Sequence, residues 1–209
     1  AMLTDVTDDE RMDEVSSQGY AWGYIGSCMP FVICLVLVLG ADKIGISMES
    51  AMALSFAIVA VWWFAMTVPL LRTYKQRHYV KREPHAVKNS FARIGRTLAN
   101  VRKEKKIFLF LIAFFFYIDG VYTIIDMATA YGSALGLDST GLLLALLVTQ
   151  FVAFPSAIIF GRFAKKFKTE KLILVCISAY LFIAVFAIFL ATQLQFWILA
   201  VLVGMFQGG

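Results

Sequence analysis

The sequence predicts an all-α, polytopic bundle of transmembrane helices, with about five complete spans and a truncated sixth. Three observations predict it. Apolar residues make up 60% of the 209, against about 45–50% in a soluble domain. They fall in runs of roughly 20, the length a helix needs to cross a bilayer. The basic residues fall in alternate connections between those runs, the pattern of loops on the inner side of a membrane.

The complete runs are about Tyr20–Leu39, Ala51–Leu71, Ile107–Met127, Gly141–Phe160 and Leu172–Leu190, and a sixth starts near Phe196. Lipid offers backbone groups no water, so each run must satisfy its own hydrogen bonds as a helix. The short alternating segments of a membrane β-barrel are absent. Pro30, Pro69 and Pro155 lie within or near span ends, as kinks that shape the helices or as hinges. The polar opening, Ala1 to Gln18, and the apolar run still open at Gly208-Gly209 read as an internal segment of a longer protein.

Orientation follows from charge. Of 19 Lys and Arg, 12 lie between Arg72 and Lys106 and five between Arg162 and Lys171. These two connections belong inside. Gly40–Ser50 holds only Lys43, while Ala128–Thr140 and Ala191–Gln195 hold no basic residue, so these belong outside. The first segment must then lie inside although it is acidic, a departure of small weight because Asp and Glu contribute little to orientation. The net charge of +5 is therefore a loop pattern, and no nucleic-acid partner is expected.

The organisation expected is 1–71 with two spans, a basic cytoplasmic linker over 72–106, and 107–209 with three spans and the truncated fourth. Within the linker, Val87, Phe91, Ile94, Leu98 and Val101 recur at spacings of four and three, one face of a helix. Lys88, Arg93, Arg96, Arg102 and Lys103 are interleaved. Such a helix joins two bundles, or lies on the inner membrane surface among anionic headgroups.

Cys28, Cys34 and Cys176 sit inside apolar runs without a CxxC or a nearby His, and read as buried thiols. His78 and His85 lack a partner at metal-ligand spacing and are expected to face solvent. No metal, no cofactor and no enzymatic constellation is expected. The sequence has no nucleotide-binding loop, GxSxG or HExxH.

A long basic inner loop between two sets of spans, with a short basic loop two spans later, resembles the major facilitator superfamily. Its two six-helix halves are joined by a cytoplasmic linker. The spans here would be helices five to nine and the start of ten. Gly161-Arg162-Phe163-Ala164-Lys165-Lys166-Phe167-Lys168 is similar to the Gly-x-x-x-Asp-Arg-x-Gly-Arg-Arg loop of that superfamily. Gly161 and Lys166 keep the first glycine and the basic step. Lys165 replaces the acidic residue, and Lys168 stands where the second glycine belongs.

Val15-Ser16-Ser17-Gln18-Gly19-Tyr20-Ala21-Trp22-Gly23-Tyr24-Ile25-Gly26 resembles the opening of helix five in the vacuole-effluxer (autophagy-related 22-like) branch. Phe114-Phe115-Phe116-Tyr117-Ile118-Asp119-Gly120-Val121-Tyr122-Thr123-Ile124 resembles its helix seven, and Gly204-Met205-Phe206-Gln207-Gly208-Gly209, more loosely, its helix ten. The resemblance implies a multi-pass protein of the plasma membrane if bacterial, or of the vacuolar membrane if fungal. It implies a secondary transporter of a small solute, with amino-acid efflux as the fungal activity.

Asp119 lies about 12 residues into its span, near the midplane at about 1.5 Å per residue. A carboxylate there costs about 2.5–3.5 kcal/mol to insert, so it is expected to face a bundle interior or a wet cavity. Asp126, seven residues on, lies on nearly the same face, with Tyr122 between them. Burial would let Asp119 exchange a proton near neutral pH, or hold a cationic solute group; otherwise it bonds a neighbouring helix. Asp126 lies nearer the outer interface. Tyr117 and Tyr122 could bond solute or simply pack. Gln150 and Gln207 could do the same or join helices. Gly19, Gly23 and Ser27, four residues apart, read as a close-packing stripe between the two halves. Membrane lipids, a small-molecule solute and protons are the partners expected. The alternative is a non-transporting receptor or scaffold that docks partners on its basic loop.

Overall fold

The computed structural model describes residues 2–77 and 86–208, with the side chains at 9 and 86–88 outside the description. His78 and His85 lie outside the described residues, as do Gly209 and the side chains of Val87 and Lys88. The helices are α1 (Leu3–Val6), α2 (Met12–Leu39), α3 (Ala41–Ile44), α4 (Met48–Thr73), α5 (Ala86–Lys103), α6 (Lys105–Ala134), α7 (Ser139–Ala164), α8 (Thr169–Ile188) and α9 (Gln193–Gln207). No strand occurs among the described residues. Helices α2, α4, α6, α7 and α8 are long and apolar enough to cross a membrane, and α9 is a shorter apolar helix. The fold is an all-α polytopic bundle.

The helices outrun the apolar spans. α2 begins at Met12, within the polar opening, and α6 runs on to Ala134, through half of the expected outer connection. Apolarity marks the part of a helix that meets lipid, whereas its ends are set by capping. Asp13 and Glu14 in the first turn of α2 suit the positive end of its dipole. α6 stops at Gly136, whose φ of 75° is a left-handed turn; there the Leu137 N–H reaches back to the Gly132 carbonyl at 3.1 Å.

Three starts are capped by side chains. Ser47 accepts from the Ser50 N–H at 3.2 Å. Asp138 accepts from the Gly141 N–H at 2.7 Å. Thr192 and Gln195 form a reciprocal capping box at α9. All three lie in connections poor in basic residues, which leaves capping to polar groups in a short loop.

The chain divides into two compact units, Ala1–Gln76 with Ala128–Gly209, and Arg77–Met127. In the first, α7 is the hub, packed along α2 on one side and α9 on the other. Its inward residues are Leu142, Ala145, Thr149, Ala153 and Ala157, and the three alanines expose nothing. That narrow face lets α9 approach until only hydrogen fits between the backbones. A Cβ on Gly204 would lie 2.8 Å from the Thr149 carbonyl oxygen, and one on Gly208 would lie 2.7 Å from the Ala157 nitrogen. α8 packs mainly on α9, with Cys176, Tyr180 and Ile183 as its buried residues, and the Tyr131 hydroxyl donates to the Ala187 carbonyl at 3.0 Å. α4 lies on α2, where the Cys34 thiol donates to the Ser55 carbonyl at 3.7 Å. Cys28 and Cys176 are buried, Cys34 is half-buried, and all three are free thiols. The second unit holds α5 and the main part of α6.

Candidate functional site

In the first unit, α2 and α7 run antiparallel. Ser17 stands against Gly161, and the Trp22 ring lies 6.3 Å from that of Phe154. The same register carries Gln150 to the level of Tyr24 and Ser27. There a cavity of about 630 Å3 opens, lined by Ser16, Gly19, Tyr20, Gly23, Tyr24 and Ser27 of α2 and by Gln150 of α7, with α1 at its edge.

Its polar groups are of two kinds. Some are spent on the fold: the Ser27 hydroxyl donates to the Tyr24 carbonyl at 2.8 Å, and the Tyr24 hydroxyl donates to the Gln207 carbonyl at 3.1 Å, tying α2 to α9. The other kind is unspent. Gln150 Oε1 is buried and accepts no hydrogen bond within the described residues, and the same holds for Gln207 Oε1, which lies outside the cavity lining. A buried amide oxygen without a donor costs about 1–3 kcal/mol.

The small-residue stripe meets no other helix within the described part of this chain. A Cβ added at Gly19 or Gly23 meets nothing within 4 Å, and Ser27 is exposed to the cavity. Among the described residues these positions line the cavity wall. The tight α2–α7 contact lies nearer the start of α2, at Gly161. Spacing alone could not separate the two, because small residues serve close packing and open cavities alike.

Asp119, Tyr122 and Asp126 lie in the second unit on α6, and all three side chains are exposed. Neither carboxylate carries a hydrogen bond or ion pair within the described part of that unit. The burial expected of Asp119 is not met there. Tyr117 is half-buried and partnered.

Beyond the basic end of α7, Lys165 Nζ donates to Glu14 Oε2 at 2.7 Å, while Arg162, on the last turn of α7, is exposed. Sequence reasoning missed the Glu14–Lys165 pair and Thr149, whose hydroxyl donates to the Ala145 carbonyl at 3.0 Å and the Ala200 carbonyl at 3.2 Å. The exchange of an acidic residue for Lys165 in the loop pattern was the signal for the pair, since it needs a new acidic partner.

The profile of the vacuole effluxer Atg22-like family matches residues 3–209, nearly the whole chain. The chain belongs to this family. Among curated relatives, an uncharacterized MFS-type transporter of Bacillus subtilis, YxiO, is 48% identical over the full chain, which covers 49% of the relative. Autophagy-related protein 22-2 of Aspergillus clavatus is 25% identical over 76% of the chain, covering 26% of that protein. Autophagy-related protein 22 of Cryptococcus neoformans is 26% identical over 75% of the chain, covering 29% of that protein. The chain thus spans about half the length of YxiO and a quarter to a third of the fungal proteins. No solved structure matches it. Family and helices together make it a multi-pass integral membrane protein, of the plasma membrane in a bacterium or the vacuole in a fungus.

Proposed function

We propose that this chain is the central part of a secondary active transporter that moves a small solute by alternating access. Family membership supports the class. The observation that carries the reading is the α2–α7 cavity, which Gln150 lines and beside which its buried Oε1 has no donor among the described residues. An α-ammonium or amide group of a solute would supply that donor. Amino acids are the solute class proposed, on the Atg22-like relationship and this chemistry together.

In this reading α2 and α4 close the first half, α5 is the cytoplasmic linker, and α6 to α9 begin the second half. The α2–α7 contact is then the seam on which the halves rock. Asp119 takes up the coupling proton once apposed helices bury it, with Tyr122 and Asp126 on the same face and Tyr117 beside them. Gln150 and Gln207 contact solute.

The test is amino-acid uptake by the whole polypeptide in liposomes under an imposed pH gradient, with counterflow beside it. The expected result is gradient-driven uptake that Asp119→Asn abolishes while counterflow survives. Wild-type uptake by Asp119→Asn would remove Asp119 from the mechanism. Absence of flux for every solute from the wild type would favour the receptor reading.

A further inference from the structure

α5 occupies Ala86–Lys103 and carries five basic residues and no acidic one. Phe91, Ile94, Leu98 and Val101 fall within an arc of about 80° at 100° per residue. Among the described residues most of that stripe is uncovered: Phe91 is 71%, Ile94 55% and Leu98 64% exposed, and Val101 is half-buried. Arg93 and Arg102 flank it on opposite sides, while Arg96 and Lys103 lie behind it. Among the described residues no carboxylate pairs with any of these four cations.

An 18-residue helix of this composition does not hold itself together in water. Isolated helices of about 12–15 residues are marginal even when rich in alanine, and this slightly longer one carries poor helix formers, with Gly95 in its middle and Asn89, Thr97 and Asn100 along it. Its stability must come from a surface laid against the stripe. That surface has to be apolar in depth and negative at its rim. Such a surface is close at hand. A single residue, Glu104, separates α5 from the membrane-spanning α6, whose first residues are Lys105 and Lys106. The junction therefore fixes the end of α5 at a membrane face.

We propose that α5 is an interfacial helix that binds acidic phospholipid: the stripe enters the headgroup–acyl boundary, and Arg93 and Arg102 reach lipid phosphates on either side of it. The occupant is the bilayer to which the chain already belongs. It makes the linker a sensor of surface charge, so its helicity follows the acidic lipid content.

The test is amide hydrogen exchange of the whole chain in nanodiscs of phosphatidylcholine alone and with about 30% phosphatidylglycerol, which supplies the negative surface potential. In the acidic discs the segment from residue 89 to 103 is expected to exchange at least about tenfold more slowly, with protection lost at high salt. Each basic residue near such a surface is worth about fivefold in affinity, so Arg93→Gln with Arg102→Gln is expected to lose about 25-fold. Arg96→Gln with Lys103→Gln, an equal charge change on the far side, is expected to lose less. Arg93→Lys with Arg102→Lys is expected to keep the protection. An unchanged α8 pattern shows that each variant is folded. Equal protection in both disc types would mean that protein covers the stripe, and would overturn the proposal. So would an absence of protection in both, or equal losses from the flanking and rear pairs.

Discussion

Ser17 of α2 fills the space into which a Cβ on Gly161 of α7 would project. The Ser17 hydroxyl turns back onto its own helix, donating to the Asp13 and Glu14 carbonyls, so the crossing is packed rather than hydrogen-bonded. Just beyond it, Glu14 and Lys165 close at 2.7 Å. The pair is partly exposed, at 31% and 57%, and an exposed ion pair adds little stability. Its contribution is to fix which residues meet, while the glycine sets how near the helices come.

Gly161→Ala is therefore expected to destabilise the α2–α7 seam by about 1–3 kcal/mol, the usual cost of forcing a methyl into a filled site. The added carbon would also lie 2.7 Å from the Ser17 Cβ, so Ser17→Ala cannot relieve it. Ser17→Gly should. The measurement is the apparent melting temperature in detergent: a fall for Gly161→Ala, and partial recovery in the double variant. Recovery with Ser17→Ala as well would show that the crowding lies elsewhere.

Thr149→Val tests a different force in the same core. It removes the hydroxyl shared between the Ala145 and Ala200 carbonyls and keeps the shape. Interhelical hydrogen bonds in membrane proteins average about 0.6 kcal/mol. The melting temperature should thus fall less than for Gly161→Ala. A larger fall would mean that the α7–α9 contact depends on the hydroxyl rather than on Gly204 and Gly208.

Outside the spans, the Tyr74 hydroxyl donates to the buried Asp5 carboxylate and ties α1 to the end of α4. This hydrogen bond, aided by desolvation and the carboxylate charge, holds the Tyr74 phenol above the ordinary tyrosine range. A folded-state value raised above the unfolded one, about 10, means stability that is present below about pH 10 and lost as pH climbs through the folded value. The melting difference between wild type and Tyr74→Phe should accordingly hold at neutral pH and vanish in strong alkali. Tyrosinate absorbance, wild type minus Tyr74→Phe, should titrate later than free tyrosine, and Asp5→Asn should bring it back. A Tyr74 that titrates like free tyrosine in the wild type would refute the contact.

Much of this was legible in the chain. The spans could be read because lipid imposes both length and apolarity, and the α5 stripe because a helix face repeats every three or four residues. The resemblance carried by the strings around Trp22 and Asp119 led to the family. The α2–α7 register was not legible. It depends on Gly161 meeting Ser17, residues 144 positions apart by their numbers, and no local pattern encodes which helices become neighbours. The helix ends were missed where polar residues continue a helix past the lipid, as at Met12.

Gln150 offers the sharpest separation between a structural and a functional glutamine. It precedes nothing exceptional in sequence and follows Thr149, whose hydroxyl is fully engaged. Were Gln150 a helix–helix bond, Gln150→Leu would lose stability like Thr149→Val. Its Oε1, however, is buried without a donor among the described residues, and replacing a polar group that leaves no partner behind by an apolar one of similar size can be neutral or stabilising. The expectation is a melting temperature unchanged or raised. Transport should suffer instead, because the solute group that would satisfy the oxygen loses its partner. At about 1–1.5 kcal/mol for that bond, KM should rise about five- to tenfold, with kcat less affected. A fall in melting temperature with KM unchanged would return Gln150 to the scaffold and leave the cavity without its polar anchor.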